Sequence, residues 1–241
     1  MLFVVEMGKV VLYLLMVVRV SSFFGYTTHG ITGVYPQTTP GLVVPGNTSR
    51  HICLILCGED INCMSIFTNG GQSCHLFYNG FVDNTVLSPG PGWNLYNVYS
   101  GGCPFLKGYV ENRKLNICYK LHLGGPLDAP SFKATCASEG GEFIRITSQE
   151  IQDHIETFLS VTTSHSMVII QGSDRISKGT FQFEDGTPMV YFNWDDNEPN
   201  DPNGDTIFII DNSVNFKWQD GRGTDHTSTY TSSFICEVRM D

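Results

Sequence analysis

Residues 193–205 read Asn193-Trp-Asp-Asp-Asn-Glu-Pro-Asn-Asp-Pro-Asn-Gly-Asp205 and carry five acids, Asp195, Asp196, Glu198, Asp201 and Asp205, with no base among them. One strand-like run later the chain reads Trp218-Gln219-Asp220. A run of like charge is commonly solvated surface, and that reading accounts for the acids as charge alone. A hard divalent cation accounts for them differently, since calcium takes roughly six to eight oxygen ligands, several of them carboxylate. The ordered company of the acids favours the ion: Asn193-Trp194 ahead of them, Glu198-Pro199-Asn200 among them and Trp218-Gln219-Asp220 behind. Solvation alone requires no such pattern.

With these motifs, residues 103–241 resemble a C-type lectin domain. Further landmarks agree: Cys118-Tyr119, Cys136 followed by Gly140-Gly141, Gly179-Thr-Phe181 ahead of Asp185-Gly186, and the terminal Phe234-Ile-Cys236. The resemblance implies an α+β, disulfide-bonded fold of two helices, two small antiparallel sheets and a long calcium-binding loop. It implies bridges from Cys103 to Cys118 and from Cys136 to Cys236. It also implies a Ca2+ site built from Glu198, Asn200, Asp205, Gln219 and Asp220, with the same residues meeting the sugar. A cis bond before Pro199 would turn the flanking side chains toward one ion, and proline makes that isomer accessible. In the family the Glu-Pro-Asn order goes with mannose and N-acetylglucosamine. Gln219 departs from the usual asparagine by one methylene. Lys178, four residues after Asp174, together with Thr206, stands where oxygen ligands for a second ion would be wanted, so one calcium is expected. The large ring of a family Trp-Ile-Gly signature is replaced by Ile169-Ile170-Gln171, which still suits a buried strand.

Working outward, periodicity places helices over Ser131–Glu139 and after Thr147-Ser-Gln-Glu150, a capping box, with Ile151, Ile155 and Phe158 or Leu159 on one face. Beyond Met167 the chain reads as strands and loops. Residues 103–241 carry 20 acidic and 11 basic side chains, and the whole chain of 241 residues 24 acidic and 14 basic, a net charge of −10. So acidic a chain, with no Lys/Arg stripe, disfavours nucleic acid.

Upstream, Val10–Val18 is a nine-residue apolar run flanked by Lys9 and followed by Ser21, Ser22 and Gly25. It is too short to span a bilayer and reads as a signal peptide over residues 1–25. All eight cysteines lie beyond it, which implies an oxidising compartment and a disulfide framework. No apolar anchor follows Cys236, so the product is expected to be secreted and extracellular.

Ser100-Gly-Gly102 marks a joint, dividing residues 26–100 from 101–241. The first part carries an Asn47-Thr-Ser glycan acceptor and the spacing Cys53-x3-Cys57-x5-Cys63-x10-Cys74. Thiols near His75 could ligate zinc, but in a secreted chain they oxidise first. The spacing resembles a PAN/apple domain, which implies a helix on an antiparallel sheet, bridges Cys53–Cys74 and Cys57–Cys63, and a protein or carbohydrate ligand.

The sequence therefore points to a secreted, calcium-dependent lectin for mannose- or N-acetylglucosamine-type glycans, such as those of microbial surfaces in innate immunity, with avidity from clustering in a homo-oligomer. The alternative is a calcium- and sugar-independent protein-binding domain that keeps the loop as scaffold. No nucleophile elbow or metalloprotease helix appears, and His122, His154, His165 and His226 form no spaced motif, so an enzyme is not expected.

Overall fold

Four cysteines tie a ten-residue helix to a sheet in the first half of the chain. The computed structural model describes residues 25–26, 32–36, 42–70, 72–81, 87–162, 167–210, 215–224 and 231–240. Residues 1–24 of the expected leader lie outside them, and no helix among the described residues is long and apolar enough to cross a membrane. The chain divides into two compact units, and the second begins in earnest at residue 115, taking in 107–109 as well.

In the first unit Ser49 caps helix α1 (Arg50–Glu59) by accepting from the Ile52 amide. The helix buries Cys53, Leu54 and Cys57. Five strands, β1 (Gly25–Tyr26), β6 (Leu87–Tyr99), β4 (Ser65–Thr68), β5 (Cys74–Phe77) and β3 (Leu42–Val44), lie in that order, with β2 (Thr32–Pro36) also on β6; every pair is antiparallel, and a short strand β7 (Val110–Asn112) also belongs to this unit. Disulfides join Cys53 to Cys74 and Cys57 to Cys63. On the other side of the sheet Phe67, Phe77 and Phe81 meet edge to face at 5.1–5.5 Å between centroids.

The last turn of α1 holds no basic residue. Arg113 supplies the missing charge from far along the chain, donating Nη1 to Gly58 O at 3.0 Å and Nη2 to the carbonyls of Cys57, Asp60 and Cys63 at 2.7, 2.8 and 2.6 Å. A helix C-terminus leaves carbonyls unpaired and carries partial negative charge, so a forked cation satisfies both demands. Replacing Arg113 with Met strands these acceptors and should cost about 3 kcal/mol in urea unfolding, with Arg113→Lys recovering only part of it.

The second unit is built on β8 (Ile117–Pro126), helix α2 (Ala129–Glu139), β9 (Glu142–Phe143), helix α3 (Gln149–Ser160), β10 (Met167–Ile170), β11 (Thr206–Ile210), β12 (Trp218–Gly221) and β13 (Thr231–Val238). Instead of two separate small sheets, its strands form one hydrogen-bonded order, β12-β11-β10-β13-β8, with β9 on β13. All pairs are antiparallel save β10 with β13, which run parallel. A parallel pair needs a long crossover, and the stretch from Ile170 to Thr231 supplies one. Cys136–Cys236 fastens α2 to β13 across a sequence separation of 100. Cys103 and Cys118 are also disulfide-bonded, and no cysteine is free.

Both helix starts differ from the sequence reading. Helix α2 begins two residues before Ser131, because Asp128 caps it by accepting from the Ser131 amide and Pro130 fits the first turn, where its missing N–H costs nothing. The cap of α3 is Ser148, not Thr147, and its Oγ accepts from Ile151 N at 3.3 Å. Both neighbouring hydroxyls could cap, and the one three residues ahead of Ile151 does so. The buried face of α3 includes Ile151, Ile155, Phe158 and Leu159.

Helix α3 also buries His154, whose Nε2 pairs with the Tyr119 hydroxyl at 2.8 Å. Burial lowers its pKa to about 4. The unfolded chain takes up this proton near pH 6.5 and the folded one only near 4, so stability is full above pH 6.5 and declines as the pH falls toward 4. Thermal midpoints across this window should therefore drop with acid, and in His154→Gln the slope between pH 6.5 and 5 should flatten.

Candidate functional site

The acidic loop is sewn to the start of β12. Trp218 N donates to Asn193 O and Asp195 N to Trp218 O, both at 2.8 Å. The Trp218 indole is fully buried, donates Nε1 to Gln152 Oε1 on α3 at 2.9 Å and meets Trp194 edge-on at 5.9 Å. Phe181 lies 5.0 Å from Trp194 on another side. Both indoles are thus packing groups beneath the loop.

Above them, Asp220 Oδ1 accepts from Asn200 N at 2.7 Å and from Asp201 N at 3.1 Å, so the strand's carboxylate fixes the loop backbone. The Glu198–Pro199 peptide is cis. Asn200 Nδ2 donates to Glu198 Oε1 at 2.9 Å, while Glu198 Oε2 is buried with no hydrogen-bond partner among the described residues. Burial raises the Glu198 pKa, and the facing Asp220 carboxylate raises it further. Glu198, Asn200 and Asp220 therefore converge. A buried carboxylate oxygen without a donor, beside a second carboxylate, fits a bound cation.

Gln219 and Asp205 are engaged elsewhere. Gln219 Nε2 donates to Asp195 Oδ2 at 3.1 Å, and Asp205 Oδ1 accepts from Gly223 N at 3.0 Å and from Thr206 Oγ1 at 3.2 Å. Glu198, Asp205 and Asp220 do not bring three ligand atoms within 4.8 Å of one another; among the described residues only His122, Glu139 and Cys236 do. That trio offers no metal site, since Cys236 is oxidised and Glu139 takes hydrogen bonds from Lys120 and Tyr109. His122 stacks on Phe234, and His165 and His226 lie outside the described residues.

Two contributors escaped the sequence reading. Asp195 was counted only as one acid of a run, yet it holds the Gln219 amide. Gly204 has no room for a side chain, because a Cβ there would stand 2.7 Å from Asp220 Oδ2. Lys178, read as an obstacle to a second ion, is itself the cation at that point: its Nζ donates to Asp174 Oδ1 at 2.9 Å and to the Gly204 carbonyl. Asp174 is buried, and its pKa stays low because bonds from the Gly179 amide and the Lys178 ammonium outweigh its burial. Lys178→Met should release this tie, worth about 1 kcal/mol for a half-exposed ammonium, and speed hydrogen exchange at the Gly204 and Asp205 amides roughly fivefold.

Residues 128–238 match the family model of the lectin C-type domain. Over 148 residues the chain is 22% identical to C-type mannose receptor 2 of Mus musculus, a stretch that is 61% of this chain and 9% of that protein. The chain thus spans under a tenth of the length of the curated relatives it matches. Among solved structures, the carbohydrate-recognition domain of the mouse scavenger receptor C-type lectin is 23% identical with a TM-score of 0.44, covering 52% of this chain and 91% of that one. A calcium-independent type II antifreeze protein is 22% identical with a TM-score of 0.43, covering 52% and 87%. Residues 128–238 are thus similar to C-type lectin domains.

Proposed function

We propose that the chain is a calcium-dependent carbohydrate-binding protein that recognises mannose- or N-acetylglucosamine-type glycans through Glu198, Asn200 and Asp220, with Asp205 and Gln219 completing the ligand set. The observation that carries this reading is the buried, unpartnered Glu198 Oε2 beside Asp220. Calcium bound there would offer open coordination positions to a pair of vicinal sugar hydroxyls. Glu198 then accepts a hydroxyl proton in a hydrogen bond, and Asn200 Nδ2 donates to a hydroxyl oxygen, so the order acceptor-then-donor along the loop selects the sugar's stereochemistry. Asp220 holds Asn200 in register for that task. Asn200 is exposed, as a group meeting a glycan must be.

The wider setting belongs to the same reading: a secreted, non-enzymatic recognition protein of innate immunity, N-glycosylated at the exposed Asn47 and clustered for avidity. The first unit, with its helix on an antiparallel sheet and its two disulfides, is taken as a PAN/apple-like adhesion module. A second reading, a calcium- and sugar-independent protein-binding domain, is favoured by the partners that Gln219 and Asp205 already have.

Retention on mannose resin separates the two. The chain should bind in millimolar calcium and elute with chelator, and Asp220→Ala should weaken retention at least tenfold. Glu198→Gln combined with Asn200→Asp should shift preference toward galactose. Undiminished binding by Asp220→Ala, or by the parent in chelator, would overturn the proposal.

A further inference from the structure

The second unit contains a cavity of about 450 Å3 whose lining shares Asp205 with the proposed calcium site. Its size falls in the range of small-molecule sites, roughly 300–1,000 Å3. The buried side chains of Phe143, Ile170 and Phe183 give it an apolar lining, and Ile176 stands at its edge with 83% of its surface exposed. So exposed an aliphatic group beside an apolar hollow is a ready contact for the body of a ligand.

Asp205, Thr206 and Gly223 also line the cavity. Gly223 N and Thr206 Oγ1 both bind Asp205 Oδ1, which fixes the carboxylate, while Oδ2 has no partner among the described residues. Glycine is required for this close approach: a Cβ at Gly223 would collide with Thr206 Oγ1 and come within 3.1 Å of Ala129 Cβ. Of the other charged groups in the lining, Lys133 pairs with Glu184 at 3.0 Å and Arg175 is exposed.

A carboxylate held through one oxygen, with the other unpaired, adjoining an apolar surface, selects a cation with a hydrocarbon body. We infer that this cavity is a second binding site, for small organic ammonium ions, with the ammonium on Asp205 Oδ2 and the apolar body against Phe143, Ile170, Phe183 and Ile176. The inference does not rest on the calcium reading, and its test is run in chelator.

Full-length oxidised protein would be titrated, by calorimetry and by amide NMR, with phenethylammonium, neutral 2-phenylethanol and anionic 3-phenylpropionate. Phenethylammonium should bind at least tenfold more tightly than the alcohol and shift the Gly223 and Thr224 amides while leaving the Trp218 indole N–H unmoved. Asp205→Asn should abolish the preference for the cation, and Ile176→Ser, an exposed change, should weaken both the cation and the alcohol about threefold. Equal affinity for cation and alcohol, tighter binding of the anion, no shift at Gly223 with millimolar probe, or an unchanged preference in Asp205→Asn would each overturn the assignment. The parent's own amide shifts decide the matter even where a variant fails to fold.

Discussion

The bond between Cys136 and Cys236 is the constraint on which the second unit rests. It ties α2 to β13, the strand that pairs with β8 on one side and with β10 and β9 on the other. In the chain-entropy view, closing a loop of this length removes about 4 to 5 kcal/mol of freedom from the unfolded chain. What matters as much is where the bridge lies. β13 is the element at which early and late parts of this unit meet, so fixing it fixes the order of the whole sheet.

From that sheet the acidic loop inherits its shape. Residues 171–205 contain no long regular element among the described residues, and bonds within the segment and from β12 set their geometry. Trp218 holds Asn193 and Asp195, Asp220 holds Asn200 and Asp201, and Lys178, within the segment itself, holds the Gly204 carbonyl. Two of these anchors stand on β12, which makes a short strand the template for a long irregular segment. The arrangement also leaves Glu198 poorly paired, and a group so placed is what a cation would stabilise.

Much of this was legible in the sequence because it depends on local chemistry. The Glu198-Pro199-Asn200 and Trp218-Gln219-Asp220 pair pointed to segments that the fold does bring together, and the apolar face of α3 followed from its period. What was not legible depends on distant approach. Capping shifted by a residue where two hydroxyls competed, at Thr147 and Ser148, and where Asp128 outdid the expected start. Arg113 closes a helix more than fifty positions away, which no local pattern announces. The resemblance assigns Asp205 to the ion, yet Gly223 holds one of its oxygens, a pairing set by the β11–β12 hairpin.

The chain has three tryptophans, and two of them, Trp194 and Trp218, stand edge to face under the acidic loop. One is sealed from water and tied to α3, the other partly open to solvent. Their transitions couple in the near ultraviolet, so the folded protein carries its own optical gauge of this region, one that needs no attached dye.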